Sequence, residues 1–222
     1  MSKKRKYPTL HAFTHPSTLI SIGLIAGTQV YMVVLTILQK FYTNQIILTA
    51  ITTPIIFALL YVAIAYYKKI HLNDFRYEKA KPTMYTKGML GLVLMFALSI
   101  ILPLLIGKTP QSNQEALNAL FVNSYIPLTI YMVIGAPIIE ELVFRDFLPN
   151  VFYYKKSAYI VTTILFAALH APTGLTGIVM YGGLSCIFAY LRYAGGHIRY
   201  SIVMHIAWNS FSVIIMYAIA FS

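Results

Sequence analysis

Residues 88–107 read GMLGLVLMFALSIILPLLIG, twenty positions without a charge, closed by Lys87 on one side and Lys108 on the other. A helix that crosses a bilayer needs about 20 consecutive apolar residues, so this stretch points to a membrane-spanning chain. Similar runs lie on both sides of it. An uncharged segment separates Lys6 from Lys40 and turns apolar near Ser17, and another extends from Phe41 to Tyr67. A fourth begins after Glu115, is membrane-embedded from about Ala119, and runs into Glu140, Glu141 and Arg145. Residues 157–191 hold no Asp, Glu, Lys or Arg, enough for two spans with a turn at Ala171-Pro172-Thr173-Gly174. A last run follows Arg199 and ends near Ser222. The expected fold class is an all-α, polytopic transmembrane bundle of about seven spans.

Composition agrees. Of 222 residues, 59% are hydrophobic and 10% charged, where a soluble domain carries about 25% charged residues. The mean hydropathy of +0.71 excludes secreted, disordered and nucleic-acid-binding classes. The excess of 17 Lys and Arg over 6 Asp and Glu is read as orientation. A cytoplasmic N-terminus places all of the basic residues except Lys40 and Lys108 on the inner side, which puts the C-terminus outside. The Lys3–Lys6 cluster suits anionic headgroups, and the hydrophobic stretch after it reads as an uncleaved first span. Cys186 stands alone, so no internal disulfide or cysteine zinc cluster is expected, and its apolar neighbours suggest a small core residue. Residues 1–87 are expected to form a basic segment, two leading helices and a polar loop. Residues 88–222 form the helical core, with the functional region at about 115–222.

Half of the six acids, Glu140, Glu141 and Asp146, fall within seven residues at the inner part of the fourth span. A charge at mid-membrane costs about 2.5–3.5 kcal/mol on insertion scales, and such residues face a bundle interior or a wet cavity. Glu141 and Arg145, four apart on one helical face, can pair. Glu140 is turned about 100° away and needs partners from other helices. His170 ends the fifth run before Pro172, and His205 shares a face of the last run with Asn209. An acid pair, a histidine at a helix end and a His-xxx-Asn face on three hydrophobic helices supply the parts for activating a water. His11, His15, His71 and His197 are expected to be solvated or interfacial, and Trp208 to pack or to flank the site.

Glu140-Glu141-Leu-Val-Phe-Arg145, Phe166-Ala-Ala-Leu-His170 and His205-Ile-Ala-Trp-Asn209 resemble the EExxxR, FxxxH and HxxxN motifs of one family. It is the CAAX protease and bacteriocin-processing group of intramembrane endopeptidases, called CPBP or Abi, which includes the type II CAAX prenyl endopeptidases. The resemblance covers roughly residues 115–222. It implies an intramembrane endopeptidase that hydrolyses a peptide bond in a membrane-associated or hydrophobic substrate. Glu140 is then the catalytic carboxylate, Glu141 and Arg145 complete its motif, His170 is its partner, and His205 with Asn209 forms the third element. Asp146 departs from the small residue common after the arginine, which bears on local packing and substrate shape.

Two mechanisms fit these residues. In one, His170 and His205 with Glu140 hold zinc and leave a position for water. In the other, favoured because an amide is a good oxyanion donor and an uncommon zinc ligand, no cofactor is needed. Glu140 and His170 activate water while His205 and Asn209 stabilise the oxyanion. The expected partners are a peptide or membrane-protein substrate and the lipid bilayer, not nucleic acid, with the protein integral to a bacterial cell membrane. The alternative reading is a non-catalytic membrane immunity or regulatory protein that binds a bacteriocin or a sensor partner. Access to the site is expected from the inner half.

Overall fold

The computed structural model describes residues 10–71, 81–107 and 109–222. The Lys3–Lys6 cluster, Asp74 and Glu78 of the basic loop, and Lys108 lie outside the described residues. Every regular element among the described residues is helical. After a short turn of helix come α1 (Pro16–Leu38), α2 (Gln45–Ile70), α3 (Pro82–Ile106), α4 (Ser112–Val151), α5 (Lys156–Leu169), α6 (Gly174–Gly195) and α7 (Arg199–Ala220). All except α5 are long and apolar enough to cross a membrane. With 14 residues, α5 is shorter than the span expected there.

Local chemistry sets the helix starts. Asn44 caps α2, its side-chain oxygen accepting from Ile46 N at 2.9 Å and Ile47 N at 3.3 Å. Pro16 and Pro82 sit in the first turns of α1 and α3, where a missing N–H costs nothing. His15, expected to be solvated, caps α1 by accepting from Ser17 N through Nδ1.

The most buried helix is α4. One apolar core gathers it with α1 and α2 around Tyr31, Ile56, Leu128 and Phe147, and a second joins α3, α6 and α7 around Met95, Phe188, Leu191 and Met204. The second packing is close: a Cβ on Gly88 would lie 2.5 Å from the Met204 side chain.

Three breaks in regular α-helix shape α4. Ser124 leaves helical geometry at φ −147° and ψ 39°, three residues before Pro127, which has no N–H for the ladder. In an apolar setting the freed groups need new partners. Gln45 of α2 supplies two of them, donating to Asn123 O at 2.8 Å and accepting from Ile126 N at 3.4 Å. The Tyr31 hydroxyl donates to Pro127 O at 3.0 Å. Further along, wide π-helical turns occupy Tyr131–Gly135 and Val143–Phe147. Each is closed by the residue just before a proline: Ala136 N–H bonds Tyr131 O ahead of Pro137, and Leu148 N–H bonds Val143 O ahead of Pro149. A proline ring crowds the carbonyl four residues back, and widening the preceding turn relieves that clash. The seven residues between these turns, Ala136–Leu142, carry both glutamates.

Asp146 sits in the second wide turn and is fully buried. Its carboxylate accepts from His71 Nε2 at 2.7 Å, Arg192 Nη2 at 3.0 Å and the Tyr154 hydroxyl at 3.2 Å. One acid thus ties the end of α2 and the last turns of α6 to α4. Burial and the Asp146 carboxylate raise the Tyr154 phenol above its ordinary range and keep it a proton donor. His71 is therefore a packing partner rather than the solvated residue expected. Arg145 and Arg192, counted as orientation signals, are interior partners of acids. Cys186 also differs from expectation: it is exposed on the outer face of α6. Replacing His71 with Ala removes one charge-assisted bond from a buried carboxylate and is expected to cost about 1.5–3 kcal/mol, measured by thermal unfolding in lipid.

Candidate active site

Glu140 and Glu141 leave α4 in different directions, as adjacent helical residues must. The Glu141 carboxylate is fully buried, with Oε1 3.0 Å from His205 Nδ1. A carboxylate only accepts, so His205 Nδ1 is the donor of this bond and Nε2 is turned to the other side. That nitrogen lies 3.7 Å from Glu140 Oε2.

His170 mirrors this arrangement from α5. Its Nδ1 is 2.8 Å from Phe166 O, a carbonyl that only accepts, and its Nε2 faces the same Glu140 oxygen at 4.0 Å. Glu140, with 23% of its side chain exposed, thus has two imidazole Nε2 atoms before it, each just beyond direct hydrogen-bond distance. The spacing is that of a bridging water, whose two hydrogens serve Glu140 and one imidazole.

The supporting groups explain the motif spacings. Arg145 is fully buried one turn after Glu141, with Nε 3.7 Å from Glu141 Oε2. Its Nη2 donates to Ser185 Oγ at 2.7 Å and Ser185 O at 3.2 Å, and Ser185 in turn donates to Thr163 O. Phe166 touches every part of the site: its ring lies 5.0 Å from the Arg145 guanidinium carbon, 4.5 Å from the His170 ring and 5.9 Å, edge on, from His205. Phe188 stacks on His205 at 4.6 Å, and Tyr181 stacks on His170 at 4.9 Å. Asn209, one turn after His205, donates through Nδ2 to Met132 O at 2.8 Å, which engages one of its two amide hydrogens.

All six residues singled out from the sequence therefore converge, five through direct ion-pair or ring neighbours and Asn209 at the next turn. The reading missed Ser185, a polar residue inside an uncharged run, which is the signal it offered. It also missed Gln111. The Gln111 side chain does not cap its own helix. It reaches the loop after His170, donating to Thr173 O at 2.8 Å and accepting from Thr173 N at 3.0 Å. Gly177 leaves space for it, since a Cβ there would collide with Gln111 Oε1. Gln111 thus fixes the loop three residues after His170, and under a catalytic reading of the site it would position that histidine. Gln111→Ala is expected to lower kcat about 10-fold with KM nearly unchanged, because a small misplacement of a reacting group is costly. Steady-state kinetics on a cleaved peptide check this, and Gln111→Glu, which keeps the acceptor, should recover part of the loss.

Glu140, His170, His205 and Asn209 line a cavity of about 820 Å³. It runs to Gln39 at the end of α1 and to Asn113 and Gln114 at the start of α4. This is the end of the bundle away from Lys68, Lys155 and Arg192, whereas access was expected from the side of those basic residues. The reason lies in α5, which starts at Lys156 on the basic side and delivers His170 to the far end after 14 residues.

The chemistry of the His170, His205 and Glu140 donors suits zinc, and the Glu141 carboxylate behind His205 is the outer partner such a histidine often has. Zinc needs its N and O ligands about 2.0–2.2 Å from one point. Tetrahedral ligands at that radius stand about 3.4 Å apart, and both Nε2 atoms lie slightly farther than that from Glu140 Oε2, at 4.0 and 3.7 Å. These three residues are the ones that would hold a metal, and no step below is routed through one.

Paired acids, two imidazoles and a buried guanidinium inside a bundle of apolar helices define the class: a helical membrane protein with a protease-like centre. Residues 122–211 match the family model described as "Type II CAAX prenyl endopeptidase Rce1-like", a stretch that holds all three motifs, so the resemblance read from them stands. The chain is 31% identical over 139 residues to UPF0177 protein YvdC of Lactococcus lactis subsp. lactis (strain IL1403), covering 58% of this chain and 52% of that one. It is 36% identical over 101 residues to UPF0177 protein YbdI of the same strain, covering 44% and 54%. It is 24% identical over 136 residues to the Bacillus subtilis (strain 168) protein named "Putative membrane peptidase YdiL", covering 59% and 51%. The chain spans about half the length of these curated relatives. No solved structure matches it. With six helices of spanning length among the described residues, the chain is an integral membrane protein.

Proposed function

We propose that the protein is an intramembrane endopeptidase that hydrolyses a peptide bond with a water activated by Glu140 and the histidines. The observation that supports this most is the meeting of His170 Nε2 and His205 Nε2 before one Glu140 oxygen, at 4.0 and 3.7 Å. Glu140 takes a proton from the bridging water as it attacks the carbonyl carbon, and later returns it to the leaving amine. His170, fixed by Phe166 O and Tyr181, orients the water. The second Asn209 amide hydrogen is available to the developing oxyanion, and His205 donates Nε2–H to the same oxyanion when its ring enters the step already an imidazolium, keeping that proton throughout. Glu141, held by Arg145, stabilises that cationic His205. The substrate is a hydrophobic or membrane-associated peptide.

The test uses purified protein in lipid with a panel of internally quenched peptides, wild type beside His170→Ala, while metal content and chelator sensitivity are measured. We expect wild-type cleavage that falls at least 10²-fold in His170→Ala and survives chelation. Stoichiometric zinc whose removal abolishes cleavage would replace the metal-free mechanism. Equal biological activity of wild type and His170→Ala would favour a binding protein that acts in immunity or regulation.

A further inference from the structure

Tyr181, Ser185, Phe188 and Arg192 follow one another along α6 at spacings of four, three and four, which sets them within about 60° on one face. Each meets a different partner. Tyr181 stacks on His170 at 4.9 Å, Ser185 accepts from Arg145 at 2.7 Å, Phe188 stacks on His205 at 4.6 Å, and Arg192 donates to Asp146 at 3.0 Å. Arg145 and Asp146 are neighbours in the second wide turn of α4. That turn therefore grips α6 at two points, about 10 Å apart along the helix axis. Against α3 and α7, α6 packs through apolar side chains, and such contacts are non-directional. The grip at Arg192 is firm: its side chain is 12% exposed, Asp146 is fully buried, and the guanidinium also lies over the Tyr154 ring at 5.4 Å.

We propose that the ion pair of Asp146 with Arg192 sets the register of α6 against α4, and that Tyr181 and Phe188 are thereby positioning residues for His170 and His205. A buried ion pair is a weak source of stability, since desolvation offsets much of its attraction, and fixing register is its best-attested use. Ser185 holds α6 through one small side chain, bonded to Arg145 on α4 and to Thr163 O on α5. A single attachment of that kind leaves the helix free to pivot about it. The second attachment, two turns on, removes that freedom. The stacked rings matter because the Nδ1 bond of each histidine, to Phe166 O and to Glu141, fixes one point of the imidazole. The aromatic neighbour fixes its plane, and so the direction in which Nε2 points at Glu140. A slip of α6 moves both rings together, and both histidines lose their aim from one cause. The kinetic consequence rests on the protease reading, whereas the register does not.

The experiment records histidine ring signals by NMR on the full chain in lipid nanodiscs, isotope-labelled at histidine and held at one pH. His170→Gln and His205→Gln assign the two sets. A stacked aromatic face moves the ring protons beneath it upfield, while the ring nitrogens report protonation. Phe188→Leu is expected to move the His205 protons downfield, and Tyr181→Leu those of His170. Arg192→Gln alters no residue lining the cavity. It should nevertheless move both sets of protons with the nitrogens unchanged, lower kcat about tenfold and leave KM within about twofold. Arg192→Lys, which keeps the cation, should return both sets toward their wild-type positions. If Arg192→Gln does not fold, Asp146→Asn combined with Arg192→Gln removes both charges of the pair and is read in the same way. Proton signals that stay in place in a folded variant lacking the pair, or that move only with the nitrogens, overturn the inference. Moved signals with an unchanged kcat overturn the positioning role. Moved signals in a chain whose wild type cleaves no peptide keep the register and remove the protease reading.

Discussion

Glu140→Gln is expected to lower peptide cleavage by about 10³-fold, within the range that a positioned general base supplies. The substitution keeps the shape and polarity of the side chain, so His170 and His205 retain a neighbour of the same size, and only the capacity to take a proton is lost. Single-turnover rates at saturating peptide would measure it, with the unfolding temperature in lipid as a control for integrity. Glu141→Gln should act differently. Glu141 does not face the bridging water. Its oxygen fixes the His205 tautomer at 3.0 Å, so its loss should be smaller. Equal losses in the two variants would mean that the roles of the glutamates have been misassigned, and a fully active Glu140→Gln would end the proposed mechanism.

The largest effect on stability is expected at Arg145. Its guanidinium and the Glu141 carboxylate are both fully buried. Removing one partner of such a pair costs about 3–5 kcal/mol, because a charge remains without compensation. Arg145→Met keeps most of the side-chain length and leaves Glu141 with His205 as its one remaining partner among the described residues, so a loss toward the lower end of that range should appear as a lower midpoint in reversible denaturation from mixed micelles. The double variant Arg145→Met, Glu141→Gln removes both charges and should recover most of the difference. Failure of the second substitution to recover anything would show that Arg145 stabilises through Ser185 and Phe166 instead of through Glu141.

Much of this architecture was legible because the membrane simplifies the code. Uncharged runs such as 88–107 mark helices, and an acid inside one of them needs a reason. The six site residues were readable for that cause, and their motif spacings place each on one side of a helix. Ser185 and Gln111 were not readable, because a serine or glutamine costs too little to stand out in the chain and its value lies in what another helix brings to it. Asp146 shows the limit most clearly. Its sequence neighbours announce a buried charge, but its partners His71 and Arg192 lie 75 and 46 positions away. Orientation was read partly from the wrong evidence for the same reason, since Arg145 and Arg192 are spent on interior acids. The wide turns of α4 were written in Pro137 and Pro149, although a proline alone does not say whether a helix will bend, break or widen.

The brevity of α5 bears on how water reaches the candidate site. Fourteen residues rise about 21 Å, against a hydrocarbon thickness of about 30 Å. The membrane beside α5 must therefore dimple, or water must fill the difference. Either way the aqueous boundary is drawn down to the C-terminal end of α5, where His170 stands, by a helix that stops early.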